Sequence, residues 1–117
     1  MSIKNALVVD DSKSARMMLQ RLLSKMNVRV DTVDSAEAAL LFLEGAHPDI
    51  IFMDHMMPGM DGLEVLKRLK KGNKTKNVPV IMLTVKNRRC DVDQAVSLGV
   101  ADYIVKPFNL SIITQTI

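Results

Sequence analysis

Short apolar runs alternate with helix-periodic stretches along this chain, and that alternation leaves few folds open. Ala6–Val9, Ile50–Met53 and Val80–Leu83 are unbroken apolar runs, the pattern of strands buried on both faces. Val28–Val33 alternates apolar and polar residues, the mark of a strand with one face less covered, and it is placed at a sheet edge. Ala101–Val105 supplies a fifth strand. Between the first two strands, Ala15, Met18, Leu19, Leu22, Leu23 and Met26 recur at helical spacing.

The remaining connections read as helices too. Asp34 and Glu37 have the spacing of an acidic capping box before a helix over Ser35–Glu44. Asp61 and Glu64 repeat that spacing before a helix reaching about Lys71. Val92, Ala95, Val96 and Gly99 share one helical face, with Gly99 as a stop signal. Asn109 can cap a last, short helix. Five strands and five helices in strict alternation specify an α/β fold: a doubly wound, five-stranded parallel sheet with helices on both faces. An edge position for the second strand selects the order 2-1-3-4-5, whose switch point lies between strands one and three.

That topology gathers chemistry at one place. Parallel strands share a carboxyl edge, where open α/β sheets bind ligands. The first strand ends on Asp10-Asp11, the third on Asp54, the fourth on Thr84 and the fifth on Lys106. Three carboxylates, a hydroxyl and an ammonium group would meet there, a combination suited to a cation and a phosphoryl group. Taken alone, Asp10-Asp11 reads as a helix-capping pair, Thr84 as an ordinary strand residue and Lys106 as a surface lysine at a turn. Their common edge is what favours a site.

Size and composition narrow the classes. The 117 residues make one domain with a sizeable core. A content of 48% hydrophobic and 25% charged residues is that of a soluble globular protein. No apolar run approaches the ~18 residues of a membrane span, and no signal-peptide pattern opens the chain. A lone cysteine, Cys90, has no internal partner, and a reducing cytoplasm is the expected location. Lys67, Arg68, Lys70, Lys71, Lys74 and Lys76 crowd one stretch of a chain with formal net charge +3. Without interleaved aromatics or a nucleic-acid motif they read as solvated surface, not as a direct nucleic-acid interface. His47 and His55 are read as surface or structural, since oxygen ligands dominate the cluster, and the helically spaced methionines are read as core filler.

At this point the chain resembles the receiver domain of two-component response regulators. The resemblance is carried by Val8-Val9-Asp10-Asp11-Ser12, by Asp54 followed by Met57-Pro58-Gly59-Met60-Asp61-Gly62, by Val80-Ile81-Met82-Leu83-Thr84, and by Gly99-Val100-Ala101-Asp102-Tyr103-Ile104-Val105-Lys106-Pro107-Phe108. It spans nearly the whole chain in the right order, and the receiver family is itself a type example of this flavodoxin-like sheet order. The resemblance implies that Asp54 accepts a phosphoryl group from a sensor histidine kinase or histidine phosphotransfer protein. It implies a magnesium ion held by Asp10, Asp11, Asp54 and the backbone carbonyl of Met56. Lys106, aimed by a cis peptide before Pro107, would pair with the phosphoryl oxygens, Thr84 would hydrogen-bond to them after transfer, and Tyr103 would turn inward when Thr84 moves.

Such a domain, residues 1–117 here, is a signalling phosphoacceptor and not an enzyme, although it assists its own phosphorylation and slow hydrolysis. A downstream output domain or target protein would read the switch, and the short last helix fits a domain cut from a longer regulator. The face built by the fourth helix, fifth strand and fifth helix is the family's contact surface, through which a homodimer can form. The chain departs from the family pattern at Val85, where a small residue is usual, and at His55, where an aliphatic residue is more common. Met56 and Lys86 occupy the positions that face the attacking water in the family. A non-phosphorylated pseudo-receiver is the alternative, and such proteins usually lack one of the acids or the lysine. A haloacid dehalogenase-type phosphatase is more remote, because it requires Asp-x-Asp where this chain has Asp10-Asp11.

Overall fold

Five parallel strands form one sheet in the order β2-β1-β3-β4-β5. The structure, a computed structural model, describes residues 3–54, 62–72, 75–85 and 102–106, the last few and residues 62, 63, 84 and 85 by their backbone apart from buried Ile104. Along the chain the elements are β1 (Asn5–Val9), α1 (Lys13–Ser24), β2 (Arg29–Val33), α2 (Ala36–Phe42), β3 (Ile50–Asp54), α3 (Gly62–Lys71), β4 (Val80–Val85) and β5 (Asp102–Lys106). The expected helix around Val92–Gly99, the last helix from Asn109, the Asp61 cap and the contact face that includes those two helices lie outside the described residues.

The central strands are apolar throughout because each face of the sheet has its own core. Leu7 and Val9 of β1, Ile51 and Met53 of β3, and Val80 and Met82 of β4 pack with Ala36, Ala39 and Leu43 and with Val65, Leu66 and Leu69 of α3. The alternate residues Ala6, Val8, Ile50, Phe52, Ile81, Leu83 and Ile104 pack on the other side with Leu19 and Leu23 of α1. Period-two alternation of side chains sends neighbours to opposite faces, so a doubly covered strand must be apolar at every position. Among the described residues strand β2 pairs only with β1, and it leaves Arg29, Asp31 and Thr32 exposed, as its alternating sequence predicts.

Two local expectations are corrected. Met18, placed on the buried stripe of the first helix, is 49% exposed. The stripe against the sheet runs through Leu19, Leu22, Leu23 and Met26, and at 3.6 residues per turn Met18 falls roughly 90° from its centre. Met17 is equally exposed, so the methionines divide between core positions such as Met53 and Met82 and the α1 surface. The second correction concerns α2, whose cap is Ser35 and not Asp34. Ser35 is extended and its Oγ accepts a hydrogen bond from the Ala38 amide at 3.1 Å. The serine supplies the oxygen for that orphan N–H one residue later than the acidic box predicts.

Asp49 ties the amino edge together just before β3. Its carboxylate accepts hydrogen bonds from the Lys4 and Asn5 amides at 2.9 and 3.0 Å, while its own N–H donates to the Asn5 carbonyl. The β1–β3 ladder, which begins at Ala6 and Ile50, is thereby extended by a side chain. The two backbone N–H groups, Lys4 first, hold the Asp49 carboxyl below the usual aspartate value of 3.8. A lowered folded-state value means that the ionised form stabilises the fold above 3.8 and that this stabilisation is lost as pH falls through the lower value. Asp49→Asn is therefore expected to lower the thermal midpoint at neutral pH, with the gap to wild type closing below pH 3.8. Equal gaps at neutral and acidic pH in scanning calorimetry would contradict it.

Candidate functional site

The acidic site forms where the winding of the sheet reverses. Strands β1 and β3 are neighbours, paired from Ala6–Ile50 to Val9–Met53, so their carboxyl ends open side by side. Asp10 follows the last residue of β1 and Asp54 is the last residue of β3. Both are buried, at 0% and 5% exposure, whereas Asp11 is exposed. One carboxylate oxygen from each of Asp10, Asp11 and Asp54 lies within 4.8 Å of the others. The three acids named from the sequence do converge.

Local hydrogen bonds hold the β1–α1 turn. The Asp10 amide donates to the Val33 carbonyl of β2 at 3.2 Å. Asp10 Oδ1 accepts from the Ser12 amide at 2.9 Å, the two-residue Asx pattern common to aspartates in turns. Ser12 is the N-cap of α1, its Oγ accepting from the Ala15 amide at 3.3 Å and lying 3.1 Å from Ser14 Oγ. Neither aspartate occupies the cap position, so helix capping does not account for the pair. The residue two after Asp10, where a dehalogenase-type phosphatase needs its second acid, is this capping serine. On the first turns of α1, Arg16 reaches back and its Nη1 donates to the Asp10 carbonyl at 2.8 Å.

Strands β4 and β5 bring the other predicted residues to the same edge. Asp54 pairs with Leu83, so Thr84 is the next residue on β4, and Thr84 in turn pairs with Val105 and Val85 with Lys106. Neighbouring strands run about 4.8 Å apart, which sets the Lys106 backbone two strand spacings, about 10 Å, from β3. Tyr103 pairs with Met82 and lies three residues before Lys106 on β5, about 10 Å back along the strand. Met56, the peptide bond before Pro107, His55 and Lys86 lie outside the described residues.

His47 is exposed at the opposite edge, where it lines a shallow hollow with Asn5, Arg29 and Asp31, and takes no part in the acidic cluster. The basic residues of α3 also lie away from it. Helix α3 starts after β3 and returns toward the start of β4, carrying exposed Lys67, Arg68 and Lys71 toward the amino edge. Arg68 Nε lies 3.7 Å from Glu64 Oε1, an exposed pair one helical turn apart. No helix among the described residues is long and apolar enough to cross a membrane.

Chemically, the cluster is a set of hard oxygen donors. Two of its three carboxylates are buried, and at separations of 4.8 Å or less each pair of charges repels by at least roughly 1–3.5 kcal/mol for effective dielectric constants of 80 to 20. A small divalent cation offsets that repulsion, and magnesium favours an open site with a few carboxylates and remaining positions for water or phosphate. The donor set fits such an ion. Ser12, Arg16 and Asp49 had no role assigned from the sequence. For Ser12 the helix-start pattern was available, whereas a contact from Arg16 to a carbonyl six residues back follows no local rule.

The chain belongs to the response regulator receiver domain family, whose model matches residues 6–117. It is thus a signalling domain of the two-component class, a class not generally counted among enzymes. The heme response regulator HssR of Staphylococcus epidermidis is 39% identical over 106 residues, which are 91% of this chain and 46% of that protein. The transcriptional regulatory protein AfsQ1 of Streptomyces coelicolor is 38% identical over 101 residues, 86% of this chain and 44% of that protein. The chain spans less than half the length of these curated relatives. Among solved structures, the chemotaxis protein CheY4 of Vibrio cholerae matches with a TM-score of 0.91 and 30% identity, covering 98% of this chain and 96% of that one.

If the three carboxylates repel as their spacing requires, Asp54→Asn in metal-free buffer is expected to stabilise the protein by about 1–3 kcal/mol. Added magnesium chloride should raise the urea midpoint of the wild type more than that of the variant. An Asp54→Asn protein no more stable than wild type without metal would remove the repulsion from the account.

Proposed function

We propose that this domain is a phosphorylation-dependent switch in which Asp54 accepts a phosphoryl group from a sensor histidine kinase or a histidine phosphotransfer protein. The observation that carries the reading is the convergence of Asp10, Asp11 and Asp54 within 4.8 Å at the reversal point of the sheet. Family membership supports it. An aspartate is ionised at neutral pH by default and needs no separate base to act as nucleophile. An Asp54 oxygen forms a bond to phosphorus while the bond from phosphorus to the donor's imidazole nitrogen breaks, its electron pair leaving with that nitrogen.

Asp10, Asp11 and Asp54, with the backbone carbonyl of Met56, would hold magnesium, which when bound neutralises the facing carboxylates and draws charge from the phosphoryl oxygens. Lys106 supplies a compact positive charge to those oxygens, and the Thr84 hydroxyl donates a hydrogen bond to one of them after transfer. Water later hydrolyses the acyl phosphate and resets the switch. Phosphorylation at Asp54 adds roughly one negative charge and three strong acceptors. Thr84, Lys106 and Tyr103, all on β4 and β5, carry that change away from the site toward an output domain, a target protein or a second copy of the chain. This is the work of a cytoplasmic relay.

Incubation with magnesium and a small acyl-phosphate donor, followed by intact mass measurement, is expected to show one phosphoryl adduct that is absent in Asp54→Asn and absent with chelator. An adduct that survives either change would place the acceptor elsewhere. No adduct on the wild type would favour a pseudo-receiver that acts by contact alone. Thr84→Ala should still accept phosphate but lose the accompanying amide shifts on β4 and β5 in a heteronuclear correlation spectrum. Unchanged shifts would disprove the coupling through Thr84.

A further inference from the structure

Of the three clustered acids, Asp11 is the one whose own side chain is least constrained. It is exposed, and no hydrogen bond to its carboxylate is seen among the described residues. Asp10 is buried and accepts from the Ser12 amide, and Asp54 is buried at the end of a central strand. What sets the course of Asp11 is its backbone, and that backbone begins with the peptide joining it to Asp10. This peptide is planar, so fixing its carbonyl also fixes the direction in which the Asp11 Cα departs. Arg16 holds that carbonyl, with Nη1 2.8 Å from the Asp10 oxygen. The bond is charge-assisted, shorter and stronger than a neutral one. The Arg16 amide in turn donates to the Ser12 carbonyl at 3.0 Å, so the side chain acts from a residue already locked into α1.

We infer that Arg16 is a positioning residue for the cation site, holding the Asp10–Asp11 peptide so that the exposed Asp11 carboxylate stays beside the two buried ones. The inference rests on the reading that this cluster takes a divalent cation. It makes a prediction opposite in sign to the simplest alternative. Arg16 is a cation next to an acidic site, and if its charge acted only through space, removing it would tighten magnesium binding. If it positions Asp11, removing it weakens binding, because supporting hydrogen bonds around metal ligands are typically worth about 10–100-fold in affinity.

The test is magnesium chloride titration of the whole chain, followed by amide chemical shifts and by calorimetry. Arg16→Met keeps the apolar stem and loses the donor. Arg16→Gln loses the charge and is too short to reach back to the carbonyl. Either variant is expected to bind magnesium about 10–100-fold more weakly than wild type. Arg16→Lys keeps a donor of nearly the same reach and should recover most of the loss. Because the comparison uses two variants that cannot make this bond, failure of one to fold leaves the other to decide. Binding as tight as or tighter than wild type in Arg16→Met or Arg16→Gln, or no recovery in Arg16→Lys, overturns the role of Arg16. A wild-type protein that binds no magnesium and forms no Asp54-dependent adduct overturns this inference together with the switch itself, and so separates the two failures.

Discussion

Everything at the carboxyl edge follows from the enforced proximity of like charges. Asp10 and Asp54 leave adjacent parallel strands at the point where the connections diverge, and both are buried there with Asp11 beside them. A protein gains nothing in stability from such an arrangement. Facing carboxylates at this spacing repel, and burial weakens the screening that water would provide. The fold bears that cost because the two apolar cores hold β1 and β3 from both sides, leaving the strand ends no direction in which to spread. The mutual repulsion of the three acids is therefore built into the site, and the cation of the proposed function would relieve it.

The surrounding hydrogen bonds show how the strain is contained. Asp10 is tied to β2 through its amide, to the start of α1 through its carboxylate, and to the body of α1 through Arg16. Ser12, not either aspartate, caps the helix, which frees the carboxylates from the task that acids near a helix start most often perform. At the far end of the same two strands, Asp49 closes the β1–β3 ladder with two backbone hydrogen bonds. Strand β1 is thus pinned at both ends, and β3 at its amino end. Charge is also sorted along the molecule, with the buried acids at one edge and the exposed cations of α3 toward the other.

Much of this was legible in the residue order. The unbroken apolar runs announced strands covered on both faces, and the alternation in β2 announced the edge, which together led to the sheet order that is observed. Convergence of Asp10, Asp11 and Asp54 followed from that order alone. Details one residue wide were less accessible. Asp34 and Ser35 are both good capping residues, and only the extended backbone of Ser35 decides between them. Met18 has helical spacing to Leu22 but sits on the flank of the stripe that packs. Asp49 and Arg16 were invisible because their bonds go to backbone groups, 44 and 45 residues away for Asp49 and six for Arg16. Backbone acceptors and donors exist at every position, so no residue type at the far end marks such a contact.

The same electrostatics bounds how a signal could leave the site. Moving a two-state equilibrium from one extreme to the other takes about 5.5 kcal/mol of differential stabilisation. Each pair of facing carboxylates within 4.8 Å accounts for roughly 1–3.5 kcal/mol, so the three pairs of the cluster together are of the size such a shift requires. In the proposed switch, phosphorylation would add contacts from Thr84, one strand from Asp54, and from Lys106, two strands away, whose backbones lie at the same edge. Among the described strands β5 is paired on one side only, so in the proposed switch a change passing from Asp54 through β4 would end at the β5 edge of the sheet.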